Sequence, residues 1–140
     1  MKTKIEAGIW IDNKQAIIIK LFNGRETMET IISGIESRVR TKGEGKQFTR
    51  MGKQFYTIEK SKEEKLKHQL KDYFDKVIEK IKDADSIIIV GPAEAKTGLH
   101  KEISQSKVLL LKIKSVEAAD SMTDKQVAAL VRNYYEIHQK

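Results

Sequence analysis

The residues with the most chemistry within reach of one another lie in a single stretch, Thr41-Lys42-Gly43-Glu44-Gly45-Lys46-Gln47-Phe48-Thr49-Arg50. Glycines let a backbone approach a ligand closely, lysine and arginine neutralise phosphates, and Phe48 or Phe55 offers a ring on which a base can stack. Widened to Glu36–Phe55, the stretch holds Arg38, Arg40, Lys42, Lys46, Arg50 and Lys53 against only Glu36 and Glu44, which is +4 of a formal net charge of +7. Concentrated in this way, the charge points to a phosphate-rich partner. The plainer alternative is a surface loop that is basic by chance and simply solvated.

Other chemistries find less support. The chain has no Cys, which excludes disulfides, thiolate zinc sites and cysteine nucleophiles. Asp12, with Glu29 and Glu94 as companions, could in principle hold the metal pair of a two-metal nuclease, but their spacing carries no signature and Asp12 reads better as a turn residue. His68, His100 and His138 lack ligand spacing, and no Ser or Thr sits in a nucleophile-elbow context. No cofactor and no metal are expected. Gly91-Pro92-Ala93 at the exit of a strand could line a crevice, and it is read as structure first.

The elements that must position these residues follow from periodicity. Ser86-Ile87-Ile88-Ile89-Val90-Gly91-Pro92 is an unbroken apolar run closed by Gly-Pro, the pattern of a strand covered on both faces in the middle of a sheet. Ile5–Ile11, Gln15–Leu21 and Glu26–Ile35 read as three antiparallel strands joined by Asp12-Asn13-Lys14 and by a turn at Asn23-Gly24. Trp10, Ile17, Ile19, Leu21, Met28 and Ile32 are their expected buried set. Ser61-Lys62-Glu63-Glu64 is a capping box that opens a helix to Lys82, with Leu66, Leu70, Tyr73, Phe74, Val77, Ile78 and Ile81 in one stripe.

Pro92 suits the first turn of a short helix over Ala93–Ile103. Val108–Ile113 reads as a second buried strand with Leu109-Leu110-Leu111 at its centre. Thr123-Asp124-Lys125-Gln126 caps a last helix carrying Val127, Leu130, Val131 and Tyr134, with Tyr134-Tyr135 as core and rim. The order is β-β-β, a long loop, then α-β-α-β-α: an α/β domain with a ribonuclease H-like mixed sheet, one domain over residues 1–140. No segment approaches the roughly 18 apolar residues of a membrane span, and Met1-Lys2-Thr3-Lys4 leads into a strand-like run instead of a signal-peptide core. The expected compartment is the cytoplasm, with no membrane partner.

These same residues carry a resemblance. The basic loop, Ile88-Ile89-Val90-Gly91-Pro92-Ala93-Glu94-Ala95-Lys96-Thr97-Gly98-Leu99 and Ser106-Lys107-Val108-Leu109-Leu110-Leu111 together resemble the middle domain of archaeal and eukaryotic class-1 peptide-chain release factors. The chain is also similar to stand-alone bacterial release-factor-like proteins, some labelled "host attachment". The similarity spans roughly Ile9–Ser121. It implies a ribonuclease H-like fold, the ribosome as partner, and a loop glutamine, here Gln47, placed at the peptidyl-transferase centre to orient water against the peptidyl-tRNA ester.

One departure bears on mechanism. The family's Gly-Gly-Gln is Gly45-Lys46-Gln47 here. A side chain where the family has its second glycine costs about 1–2 kcal/mol if the backbone there is left-handed, and it adds a bulky cation where backbone must approach RNA. The codon-reading and GTPase-binding domains that flank the family's middle domain are not in the sequence, so stop-codon termination is not expected. The expected function is a translation-associated factor that binds the ribosome (rRNA) or tRNA through Arg38, Arg40, Lys42, Gly43, Gly45, Lys46, Arg50 and Lys53. Its role would be rescue, hibernation or blocking of the peptidyl-transferase centre. The alternatives are a Gln47-dependent peptidyl-tRNA hydrolase and a protein-interaction module with no RNA role.

Overall fold

The computed structural model describes residues 4–35 and 52–138, with backbone alone for 52–60 and 138. The elements are β1 (Ile5–Ile11), β2 (Gln15–Phe22), β3 (Arg25–Ile32), α1 (Gly52–Ile81), β4 (Ser86–Gly91), α2 (Ala95–Ile103), α3 (Lys107–Leu110), β5 (Ile113–Ala118) and α4 (Asp124–His138). The strands form one sheet in the order β3-β2-β1-β4-β5. β1–β2 and β2–β3 pair antiparallel, β1–β4 and β4–β5 parallel, as a ribonuclease H-like α/β arrangement requires.

Local chemistry sets the first three strands. The Asp12 carboxylate accepts the backbone N–H groups of Lys14 and Gln15, each at 2.8 Å, and so closes the first turn. Asn23 and Gly24, at φ 55° and 79°, make the two-residue connection between Phe22 and Arg25. Both residue types tolerate that left-handed backbone, and its twist matches the flanking strands.

Two cores lie on opposite faces of the sheet, and β4 explains its own sequence by serving both. Ile87 and Ile89 join Ile9, Ile11 and Ile18 beneath Tyr73, Phe74, Val77 and Ile81 of α1 and Leu99 and Ile103 of α2. Ile88 and Val90 join Trp10, Ile17 and Ile19 beneath Val127, Val131 and Tyr135 of α4. A strand covered on both sides has no polar face to alternate with. At Gly8 the second layer comes so close that an added Cβ would lie 2.3 Å from Val131 Cγ2, so glycine sets the approach of α4 to β1.

Several expectations are corrected. β4 is an interior strand, but β1 holds the centre of the sheet. Ser61 does not start α1: the helix begins at Gly52, because nothing between Lys53 and Lys60 breaks it and a Ser-x-x-Glu pattern caps only where the preceding chain leaves the helix. Pro92 precedes α2 instead of occupying its first turn, since Glu94 is the N-cap.

The second buried strand is not Val108–Ile113. Ser106 caps a single turn there by accepting the Leu109 N–H at 3.3 Å, and the strand follows as β5. A short apolar run fits either state, and the hydroxyl just before it tips the balance to helix. A register shift where β5 meets Ile87 and Ile88 then brings Ile113 and Val116, three residues apart, onto the same core. Finally, Met28 and Ile32 are exposed (42% and 61%) and Leu21 is half-buried. β3 is an edge strand that the flanking helices reach mainly through ion pairs, Glu29 with Lys80 at 2.8 Å and Glu26 with Arg132.

Candidate nucleic-acid interface

Arg38, Arg40, Lys42, Gly43, Gly45, Lys46, Gln47 and Arg50 lie outside the described residues, as does Phe48. Lys53 and Phe55 belong to the first turns of α1 and not to a loop, because the helix starts at Gly52. What the structure supplies is the frame that holds the two ends of the basic segment.

The first end leaves β3 beside the turn that follows β1. The Ser33 N–H donates to the Lys14 carbonyl at 2.9 Å, the Ser33 hydroxyl accepts the Ile35 N–H at 3.1 Å, and Gly34 turns the chain at φ 73°. The second end is α1, 30 residues long. Its anchorage begins near Leu70 and is fixed at the same end of the sheet: the Tyr73 hydroxyl donates to the Asp12 carbonyl at 2.8 Å. Burial, and secondarily the charge of Asp12, push the Tyr73 phenol far above its ordinary value. Lys71 bridges to Glu102 of α2 at 3.0 Å and to Asp75 at 3.1 Å, and those hydrogen bonds, Glu102's first, raise its pKa. At Gly98 an added Cβ would meet the Phe74 ring at 2.9 Å, so α2 is pressed against α1 just below this turn.

Above that clamp the described side chains of α1 are uncovered. Ser61–His68 are exposed in an unbroken run of more than two turns, so no side of the helix is covered there, and Leu66 is 43% exposed. At a rise of 1.5 Å per residue, Gly52 stands about 27 Å along the axis from Leu70. The basic segment therefore joins the body at one end and, at the other, a long helix that is exposed over Ser61–His68. Sequence reasoning missed this: the stripe it placed from Leu66 onward is buried only from Tyr73 downward, and the contact between Tyr73 and Asp12 spans 61 residues.

The acidic alternative does not assemble. The Asp12 carboxylate is engaged by its own turn and Glu29 pairs with Lys80, while Glu94 stands at the N-cap position of α2 without a side-chain cap hydrogen bond. No group of three or more His, Asp or Glu able to hold a metal ion occurs among the described residues. His68 lies on the exposed stretch of α1 and His100 on α2. A shallow cleft of about 860 Å³ lies at the opposite end of the sheet, where Lys4, Glu6, Phe22, Asp85, Lys114 and Tyr134 meet. No described helix is long and apolar enough to cross a membrane.

This is a mixed-sheet α/β fold of ribonuclease H-like type with one projecting helix. The chain is similar to the crystal structure of the Pelota protein of Thermoplasma acidophilum, with a TM-score of 0.51 and 14% sequence identity; the match covers 97% of this chain and 33% of that one. It is also similar to an archaeal translation termination factor, at a TM-score of 0.46 and 13% identity over 96% of this chain and 40% of that one. Identities this low show a shared fold alone, and the chain spans about a third of the length of the Pelota structure. No family model matches the sequence. No curated protein matches it either.

Proposed function

We propose that this protein is a translation-associated factor that binds the ribosome or tRNA through the basic segment running into α1, with Arg38, Arg40, Lys42, Gly43, Gly45, Lys46, Arg50 and Lys53 as its phosphate-facing residues. One observation carries the reading: the densest positive charge in the chain runs directly into a helix that is exposed over Ser61–His68 before it meets the body. Helices in proteins draw most of their stability from a packed apolar face, so a stretch without one is suited to a contact outside the fold. The likeness of fold to Pelota supports the same direction. Lys46 favours occupancy of an RNA cleft over ester hydrolysis, since it introduces a cationic side chain beside Gln47.

Cosedimentation with ribosomes over a salt series tests this. Contacts to several phosphates make binding fall steeply with salt, and replacing Arg38, Arg40, Lys42 and Lys46 together lowers the slope of log K against log salt by about 3. Unchanged pelleting removes the segment from the account, and association without salt dependence favours a protein-interaction module. Labelled peptidyl-tRNA on the same ribosomes separates binding from catalysis: peptide release that Gln47→Ala abolishes makes the protein a hydrolase.

A further inference from the structure

The segment that reads as a buried strand and folds otherwise leaves two large apolar side chains in water. Val108 is 67% exposed and Leu111 80% exposed, while Leu109 between them is buried. They stand three residues apart on a turn closed by hydrogen bonds from Leu110 N–H to Ser106 O and from Leu111 N–H to Lys107 O. At that spacing the two side chains share one face, with Cβ atoms about 5–6 Å apart. The chain could have avoided this exposure with polar residues at no cost to the core, since Leu109 alone supplies the anchor.

The surroundings are cationic. Lys107 and Lys112 bracket the pair, Lys114 follows on β5, and Lys101 precedes it on α2; none of the four makes an ion pair among the described residues. Of the two carboxylates nearest in sequence, Glu102 is held by Lys71 and Glu117 accepts the Ser115 hydroxyl at 2.9 Å. An apolar pair framed by unneutralised lysines is complementary to one kind of surface, apolar anchors flanked by acidic groups.

We infer that the Lys107–Lys112 turn is a docking surface for an acidic amphipathic segment of a partner protein, which seats its apolar side chains on Val108 and Leu111 and its carboxylates on Lys107, Lys112 and Lys114. A nucleic acid would use the lysines and leave both aliphatic side chains wet. A lipid surface needs a broader apolar face than two side chains provide. The edge of β5 does not offer strand addition instead, because its register shift and Lys114 blunt it. The inference is independent of the ribosome reading and uses different residues.

The test is a titration of the full-length protein with a fluorescein-labelled helical peptide alternating Glu and Leu at three- and four-residue spacing, read by anisotropy and by backbone amide NMR shifts. A poly-Glu peptide, a single-stranded RNA oligomer and vesicles of mixed anionic and neutral phospholipid serve as competitors. The expected result is saturable binding that shifts the amides of residues 107–112. Val108→Ser with Leu111→Ser weakens it at least about tenfold, as does Lys107→Glu with Lys112→Glu, while replacing Arg38, Arg40, Lys42 and Lys46 leaves it unchanged. Both double variants melt with the parent, because the altered side chains lie outside the core. The inference is overturned by absence of binding, by equal binding of poly-Glu, by indifference to both double variants, or by RNA or vesicles binding tighter than the peptide through these residues.

Discussion

Two stretches of α1, Ser61–His68 and Tyr73–Ile81, are both rich in charge and have opposite fates. From Tyr73 to Ile81 apolar residues recur every three or four positions and disappear into the first core. From Ser61 to His68 the only large apolar residue is Leu66, and it is exposed. The contrast between these two stretches shows what separates a supporting element from a projecting one: the second apolar residue per turn. Where it is present the helix belongs to the fold. Where it is absent the helix extends the reach of whatever precedes it.

The sharpest way to break this contrast is to treat the two stretches alike. Ile81→Ala should destabilise by about 2–5 kcal/mol in denaturant unfolding, because it opens a cavity in a closed core. Next comes the other face. Gly8→Val should cost about 1–3 kcal/mol by overpacking against Val131, and Val131→Ala should recover part of it in a double-mutant cycle.

The buried phenols give a third effect, readable against pH. Tyr73 and Tyr135 are both held protonated far above the ordinary value of 10.0, chiefly by burial. Their folded pKa exceeds the unfolded one, so their contribution is complete below about pH 10 and is lost as pH climbs toward the folded value. Thermal melts should therefore drop above pH 10. Tyr135→Phe should flatten that drop while losing about 1 kcal/mol at neutral pH, since its hydroxyl donates to the Ala7 carbonyl and accepts from Ser86.

The smallest effect on stability belongs to the exposed stretch Ser61–His68, and it carries the strongest functional contrast. Leu66→Ala should stay within about 0.5 kcal/mol of the parent. Excising Lys62–His68 removes two turns and keeps the helical phase to within about 20°. Melting should hardly change, whereas ribosome pelleting should fall. Equal loss of both would mean that this stretch supports the fold after all.

Much of the fold is legible residue by residue, because its signals are local. Asp12 two and three residues before the amides it accepts, Asn23-Gly24 between two strands, and Thr123 with Gln126 each depend on neighbours in the chain. The last pair bonds reciprocally as a capping box, Thr123 N–H to the Gln126 side chain at 2.9 Å and Gln126 N–H to the Thr123 hydroxyl at 3.2 Å. The candidate site was legible only as composition: six cations and three glycines mark a segment without saying what holds it.

What the chain alone determined is therefore everything that a few adjacent residues can decide: turns, the last helix cap, the stripe that must be buried, and the place where charge accumulates. Tertiary structure decided the rest. It put β1 at the centre of the sheet, left Val108 and Leu111 outward, and set the point where α1 parts from the body. Those outcomes depend on which surfaces remain uncovered once the sheet and its helices have met, and no window of sequence contains that geometry.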